Sequence, residues 1–325
     1  MTRMLKISSI IFLFGFSLVY AQGPENTLFQ NEPQDSIQID STQLRLDSLF
    51  ALASGGIVGY GQSADSSKKA LISMKEEVVP YMIDKLGSKD VRETNTGIDI
   101  LKGIGEPAVP YLIDALADTN NGKVAIVLRT LGEMKAAGAV MPLVNMVKHE
   151  DFRIRSSACT ALGLIGDTSA AHHLIPALND TVNLVRKSAA FALGEARSPK
   201  SIPYLVNALS DEFYGTRFAA SNSLVKFGVV TTKSLLPLLN AQDLNLQCLA
   251  IQTLGKIKDK KALDPLLVNL TSPDWAVRGF AVEALGNIGN GKTTKAIKDL
   301  EKTETHPFVK RKIEEALEKT AKTIE

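Results

Sequence analysis

The feature that most constrains this chain is a leucine that recurs at intervals of 30 to 32 residues. Each of these leucines lies in a similar segment: DFRIRSSACTALGLIGD (151–167) is echoed by NLVRKSAAFALGEA (183–196) and WAVRGFAVEALGNIG (275–289). A fixed period of this kind, kept over about 250 residues, is the sequence signature of stacked supersecondary units. The central leucines are Leu71, Leu101, Leu131, Leu162, Leu193, Leu224, Leu254, Leu285 and Leu317.

A second, more apolar segment lies between consecutive leucine segments. In VVPYMIDKL (78–86) and SIPYLVNAL (201–209), apolar residues recur at i, i+3, i+4 and i+7, which is the spacing of one helical face. Each unit is therefore predicted to be a helix pair, in which helix A is this segment and helix B carries the central leucine. The predicted fold is all-α, an α-solenoid of about eight stacked helix pairs wound into a superhelix. Five aspartates between the helices suit helix N-caps: Asp151, Asp180, Asp211, Asp243 and Asp274.

Small residues form two columns on the B helices. Alanine recurs four residues before the central leucine, where successive B helices are expected to approach closely. Glycine follows the leucine and is expected to relieve crowding near the turn. The alanines are Ala158, Ala189, Ala220, Ala250 and Ala281, and the glycines are Gly132, Gly163, Gly194, Gly255 and Gly286.

These columns, together with Val185-Arg186, Val277-Arg278 and the run from Ala161 to Asp167, resemble the HEAT repeat family, in particular the HEAT-like repeats of phycobilisome lyases. The resemblance covers roughly residues 64–320. It implies that arginines seven residues before the central leucine pair with the inter-helix aspartates as a ladder. It also implies that the B helices line a concave inner face. The arginines are Arg155, Arg186, Arg217 and Arg278.

Three regions are predicted along the chain. Residues 1–21 combine Arg3 and Lys6 with an apolar run and a small residue at Ala21, which is typical of a secretory signal peptide. An uncleaved membrane anchor is the alternative, but the apolar run is shorter than the ~20 residues that span a bilayer. Residues 22–63 are expected to be a polar linker with a short capping helix, and residues 64–325 a solenoid with a charged C-terminal cap. The protein is therefore expected to be exported, periplasmic or extracellular, with no membrane span in the mature chain.

The composition gives little support to catalysis. Loss of Arg3 and Lys6 makes the 37 basic and 35 acidic residues equal in number, so no nucleic-acid partner is expected. Cys159 and Cys248 lie three repeats apart and are expected to be unpaired. The four histidines lack the motifs of a metal or catalytic site, and the adjacent His172 and His173 are not expected to share a helical face. No cofactor, metal or catalytic residue is predicted.

The exposed B-helix positions, two residues before and after the central leucine, are the predicted binding surface. Most of them are polar, whereas Leu164 and Phe191 are apolar, which indicates a patch for a protein partner. Solitary exposed apolar residues are also normal on protein surfaces, and Phe218 and Phe280 either extend this patch or pack against a neighbouring helix. The function predicted is an exported, non-catalytic scaffold or adaptor, the alternative being an enzyme or small-ligand protein on a HEAT framework. The predicted partner-binding residues are Leu164, Phe191, Asn222, Lys226, Gln252, Lys256 and Glu283.

Overall fold

The computed structural model describes residues 41–55, 61–289 and 291–322, so the predicted signal peptide and most of the linker lie outside the described residues. Within these ranges the regular elements are helices, with no strand. The α-helices are α1 (Ser41–Ala53), α2 (Gly61–Ser73), α3 (Val79–Lys85), α4 (Val91–Ile104), α5 (Val109–Asp114), α6 (Asn121–Glu133), α7 (Val140–Met146), α8 (Phe152–Ile165), α9 (Ala171–Leu174), α10 (Asn183–Ala196), α11 (Ile202–Asn207), α12 (Tyr214–Phe227), α13 (Thr232–Leu235), α14 (Leu244–Ile257), α15 (Leu263–Val268), α16 (Trp275–Ile288), α17 (Gly291–Glu301) and α18 (Pro307–Lys322).

The even-numbered helices from α2 to α18 are the B helices, and the odd-numbered helices from α3 to α17 are the A helices. Residues Leu44–Glu325 fall in one compact unit, in which each B helix from α6 to α18 packs against its B-helix neighbours. The central leucines from Leu71 to Leu285 are fully buried, and Leu317 of the last B helix is half-buried. The predicted all-α solenoid is confirmed. None of the described helices is long and apolar enough to span a membrane.

Most A helices are shorter than the apolar segments that predicted them. From α3 to α15 they have at most seven residues, and 3-10 turns extend them at one or both ends. The last A helix, α17, has 11 residues. Pro176 and Pro237 each lie in the first turn of such a 3-10 segment, because proline has no N–H to donate to an α-helical bond. The 3-10 segments are Lys75–Val78, Glu106–Ala108, Ala115–Ala117, Ala137–Ala139, Thr168–Ala170, Ile175–Asn179, Pro199–Ser201, Ala208–Ser210, Gly228–Thr231, Leu236–Asn240, Lys260–Ala262 and Asn269–Thr271.

The first helix, α1, is the expected short capping helix and buries one of its faces. Leu46, Phe50 and Ala53 are buried. The Phe50 ring meets the edge of Tyr81 on α3 at a centroid distance of 5.8 Å, and the Tyr81 hydroxyl donates to the Asp47 carboxylate at 2.5 Å. These contacts place α1 against the first A helix.

The glycine column has a different cause from the predicted one. A Cβ at Gly255 would lie 2.7 Å from the Cα of Ala284, and one at Gly132 would lie 2.8 Å from the Cα of Ala161. Real Cβ atoms do not approach backbone atoms this closely, so the glycines permit contact with the next B helix rather than relieve crowding near a turn. The column is interrupted at Val225, and α12 packs less closely against α14 than against α10.

The inter-helix aspartates take both expected roles, the N-cap and the acid of the ladder, but the two roles fall to different aspartates. Asp151, Asp243 and Asp274 are N-caps whose carboxylates accept backbone N–H groups, as expected. Asp180 and Asp211 are not N-caps, because each lies two residues before the cap residue. Their carboxylates accept a hydrogen bond from the N–H of that cap residue. They also form an ion pair with the arginine of the preceding repeat.

The arginine ladder forms at three of its four predicted positions. Arg155 pairs with Asp180, Arg186 with Asp211, and Arg278 with Glu304, each through two hydrogen bonds of 2.7 and 3.0 Å from Nε and Nη2. The fourth expectation was wrong: Arg217 has no carboxylate partner among the described residues. Its Nη1 donates to the carbonyl oxygens of Asp211 and Glu212, at 2.8 and 3.0 Å.

Candidate functional site

The seven predicted partner-binding residues lie on the B helices from α8 to α16, and the structure divides them into three sets. Phe191, Asn222 and Lys226 line one groove, which we call the Phe191 groove. Gln252, Lys256 and Glu283 line a second, which we call the Phe280 groove. Leu164 on α8 lines neither, and 37% of its surface is exposed.

The Phe191 groove is formed mainly by α10 and α12 and has a volume of about 680 Å³. Its three largest apolar side chains differ in exposure: Leu184 is 42% exposed, Phe218 is 46% exposed, and Phe191 is half-buried. The ionisable residues along it are two lysines. Its full lining is Thr160, Leu184, Lys187, Ser188, Phe191, Phe218, Ala219, Asn222, Ser223, Val225 and Lys226.

Phe191 is held in place by a small residue on the preceding B helix. Its Cε1 lies only 3.0 Å from the position that a Cβ at Gly163 would occupy, so the ring rests against the bare backbone of α8. Lys226 of α12 places its ammonium 5.3 Å from the Phe191 ring centroid and pairs with Glu195. The ring is thus a fixed part of the groove, and burial of one side reduces the area that it offers to a partner.

The Phe280 groove is smaller, with a volume of about 200 Å³, and lies between α12, α14 and α16. Phe218 lines both grooves, which makes them adjoining parts of one surface. The Lys256 ammonium lies 5.7 Å from the Phe218 ring centroid, and Glu283 pairs with Lys312 of α18 at 2.9 Å. The lining residues are Tyr214, Phe218, Leu249, Gln252, Gly255, Lys256, Phe280, Glu283, Ala284 and Asn287.

The two phenylalanines that the sequence left undecided have different surroundings. Phe218 is exposed and stacks on Tyr214, which is 66% exposed, at a centroid distance of 6.0 Å. Phe280 is half-buried and meets Phe308 of the last B helix edge-on at 5.6 Å. Phe218 therefore belongs to the accessible surface, whereas Phe280 also takes part in the packing between helices.

Leu184, Phe218 and Tyr214 were not among the seven predicted residues. Tyr214 begins α12, ten residues before the central leucine, and was outside the two positions on which the prediction relied. The available signal was the interruption of the glycine column at Val225, because a side chain at that position keeps α12 and α14 apart. In the sequence, this signal is the valine at position 225, where the repeats on either side have Gly194 and Gly255.

The histidines, which the sequence analysis considered as possible metal ligands or catalytic residues, contact other residues of the fold. Nδ1 of His149 accepts the N–H of Asp151 at 3.0 Å, and the His306 ring stacks on Trp275 at 4.4 Å. The rings of His172 and His173 lie 3.6 Å apart, contrary to the expectation that adjacent helical residues point apart. No group of three or more His, Cys, Asp or Glu residues in the described ranges has a metal-binding arrangement.

The fold also places the cysteines and two Asn-x-Thr sequences, at Asn179 and Asn269, that match the pattern of a glycosylation acceptor. Cys159 and Cys248 are both free, and burial raises the pKa of the Cys159 thiol to about 12. The Asn269 side chain is buried and its amide donates to the Leu239 carbonyl at 3.0 Å, so it is not available for modification in the folded protein. Asn179 is exposed.

Comparison with known proteins gives one family match. The family model described as HEAT repeats matches three overlapping segments, residues 109–193, 172–236 and 232–318. No curated protein matches the sequence.

Three solved structures match the chain at low sequence identity, and the first of them shows a similar fold. Kap95p, in its complex with RanGDP, is 12% identical with a TM-score of 0.56, and the match covers 86% of this chain and 44% of Kap95p. The CpcE–CpcF phycocyanin lyase of Nostoc is 20% identical with a TM-score of 0.39, covering 74% of this chain and 93% of that one. Human deoxyhypusine hydroxylase is 21% identical with a TM-score of 0.36, covering 78% of this chain and 99% of the enzyme.

Proposed function

Because this chain belongs to the HEAT repeat family, whose solenoids offer extended surfaces, we propose that it is a non-catalytic scaffold that holds a segment of a partner protein along its B helices. The observation that carries the proposal is the pair of adjoining grooves that share Phe218. Kap95p, which has a similar fold, binds RanGDP. That binding is a property of Kap95p, and the proposal rests on the groove residues of this chain.

The shape and polarity of the Phe191 groove favour a peptide segment. Its apolar side chains, Leu184, Phe191 and Phe218, leave enough exposed surface to accept an aliphatic or aromatic anchor. Aromatic residues in such positions commonly supply much of the free energy of binding. The volume of the groove is that of a small-ligand pocket, which suits a few side chains of a peptide rather than a folded domain. The remainder of the partner is therefore expected to lie along neighbouring B helices.

The charges around the grooves favour acidic residues next to the anchor. Lys187 and Lys256 have no ion pair among the described residues, and the Lys256 ammonium lies over the ring of Phe218. Lys226 is shared between the Phe191 ring and Glu195. Opposite charges on the two sides of an interface guide orientation and speed association. We therefore propose a partner segment with an apolar anchor flanked by aspartate or glutamate.

Phe218→Ala tests this proposal, with Tyr204→Ala as a matched control. Both side chains are aromatic and 46% exposed, but Tyr204 lies on the A helix α11 and lines neither groove. A random peptide library is panned against the full chain, and the affinity of the selected peptides is measured by fluorescence anisotropy. Phe218→Ala is expected to weaken binding at least about tenfold, as truncation of an aromatic anchor commonly does.

The control distinguishes binding in the groove from nonspecific binding to an exposed aromatic side chain. Tyr204→Ala is expected to leave the affinity unchanged, and both variants should change the free energy of unfolding by only about 0.5 kcal/mol, as exposed substitutions do. Equal losses of affinity in the two variants, or unchanged affinity with Phe218→Ala, would refute the proposed surface. A selection that enriches no peptide would refute peptide binding by this chain.

We also propose that the protein acts after export, in the periplasm or outside the cell. The support is the basic and then apolar sequence of residues 1–21, which is typical of a cleaved signal peptide. N-terminal sequencing of the protein from its native source is expected to begin at Gln22, and an intact N-terminus would contradict the proposal.

A further inference from the structure

Arg217, the fourth arginine of the ladder, makes the same backbone contacts as the other three but has no acidic partner among the described residues. In Arg155, Arg186 and Arg278, Nη1 donates to two backbone carbonyl oxygens, five and six residues earlier in the chain. Nε and Nη2 of each arginine donate to the two oxygens of a carboxylate. Arg217 makes the same two carbonyl contacts, to Asp211 and Glu212. Its guanidinium is therefore anchored on one side, and its two-donor edge has no partner among the described residues.

Ala241 occupies the place where the missing acid would be. Asp180, Asp211 and Ala241 each follow a 3-10 segment, and their φ and ψ angles are −62° and 144°, −56° and 142°, and −62° and 141°. Each also donates its N–H to the carbonyl oxygen three residues earlier. The backbone at position 241 therefore has the same conformation as at the two ladder aspartates, and it differs from them only in lacking the acidic side chain.

The open edge of Arg217 lies beside the proposed binding surface. The Arg217 guanidinium carbon lies 5.6 Å from the ring centroid of Tyr214, which stacks on Phe218 and lines the Phe280 groove. A guanidinium with two parallel N–H groups matches a carboxylate in shape and charge. Because the two carbonyl contacts already fix its orientation, little side-chain entropy remains to be lost on binding.

We propose that Arg217 binds an aspartate or glutamate side chain of the partner segment, which completes the ladder in place of the missing acid. This inference rests on the proposed function and assigns the acidic residue of the partner to one contact. It makes Arg217 a recognition residue rather than a purely structural member of the ladder.

Ala241→Asp is the decisive variant, because it should supply the missing acid from within the chain. By analogy with Asp180 and Asp211, the new carboxylate should pair with Arg217, raise the melting temperature and close the docking position. Ala241→Asn is the matched control, since it has nearly the same size without the charge. Arg217→Lys retains the positive charge but removes the two-donor edge.

The probes are peptides selected from a random library on the wild-type chain, each made also with its acidic residues changed to the amides. On the wild-type chain, the peptides whose acidic residues are changed to amides are expected to bind about tenfold more weakly than the acidic peptides. Arg217→Lys and Ala241→Asp are each expected to weaken the acidic peptide about tenfold. On the Ala241→Asp chain, the acidic and amide peptides should bind equally.

The results distinguish this inference from the proposed function. Unchanged affinity with Arg217→Lys, or a persisting preference of Ala241→Asp for the acidic peptide, would overturn the role of Arg217. If Phe218→Ala still weakened binding in that case, the groove would remain the binding surface. Loss of the preference on amidation of the peptide C-terminus alone would assign the carboxylate to the chain end and overturn the side-chain assignment.

Discussion

Substitution of Gly255 by alanine tests the packing of the B helices directly. The new Cβ would lie 2.7 Å from the Cα and 2.8 Å from the Cβ of Ala284 on the next B helix. A backbone atom cannot rotate away, so α14 and α16 would have to separate. Overpacking of this kind costs about 1–3 kcal/mol, whereas the change from glycine to alanine within a helix gains about 1 kcal/mol. The expected result is a net decrease of up to about 2 kcal/mol in the free energy of unfolding.

Gly97→Ala is a control with the opposite expected sign. Gly97 lies in α4 at the position that holds alanine in the later B helices, and it is also buried. A Cβ there would meet the Leu86 side chain and the Met82 carbonyl oxygen at 3.4 Å, which is ordinary contact. The gain in helix propensity should therefore prevail, and the free energy of unfolding should rise by about 0.5–1 kcal/mol.

Both variants are measured by urea unfolding of the full chain, followed by circular dichroism. Equal slopes of the unfolding transitions are required, because a change in slope indicates a loss of two-state behaviour rather than a change in stability. A stabilising effect of Gly255→Ala, comparable to that of Gly97→Ala, would show that the B helices do not approach each other at this column. Close contact between B helices could then not be the reason for the five glycines.

Two further predictions concern stability. Leu193→Ala removes a fully buried central leucine of an interior repeat, and thermal or urea unfolding should show a loss of about 2–5 kcal/mol; a loss below about 1 kcal/mol would show that the site is not in the core. Arg278 lowers the pKa of the Glu304 carboxyl from an ordinary 4.5 to about 2, so the stabilising contribution of this pair is present above about pH 4.5 and is lost as the pH falls toward 2. Acid titration of the free energy of unfolding should therefore be flatter between these pH values in Glu304→Gln than in the wild type, and identical slopes would contradict the pairing.

The fold could be predicted from the sequence because its main determinants repeat. The leucine period, the alanine column and the N-capping aspartates each occur several times, so a chance match at one repeat does not alter the prediction. The lengths of the A helices were less predictable. Hydrophobic periodicity does not distinguish an α-helix from a helix extended by 3-10 turns, since both bury the same apolar residues over so short a segment.

The candidate site was harder to predict because it depends on contacts between repeats. Helical spacing placed Phe191 on the exposed face but gave no information about Gly163, on which its ring rests. It also left Phe218 and Phe280 undecided, and only the position of Phe308 separates them. A pattern within one repeat describes directions around a helix, whereas exposure depends on the side chains of the neighbouring helices.

The strongest argument for a function at α12 is that two structural columns are interrupted in the same repeat. Val225 replaces the glycine that lets neighbouring B helices touch, and Ala241 replaces the acid that would neutralise Arg217. Each replacement forgoes a stabilising contact, and each leaves a group available to a partner: the grooves beside Phe218 in the first case, and a two-donor guanidinium edge in the second. At Lys102, which precedes the first glycine of the column, α4 has Thr94 at the ladder position, so no ladder arginine is left unpaired there. Among the described helices, exposed aromatic rings occur together with an oriented ladder arginine that has no carboxylate partner at α12. Selection for stability alone would not produce this combination.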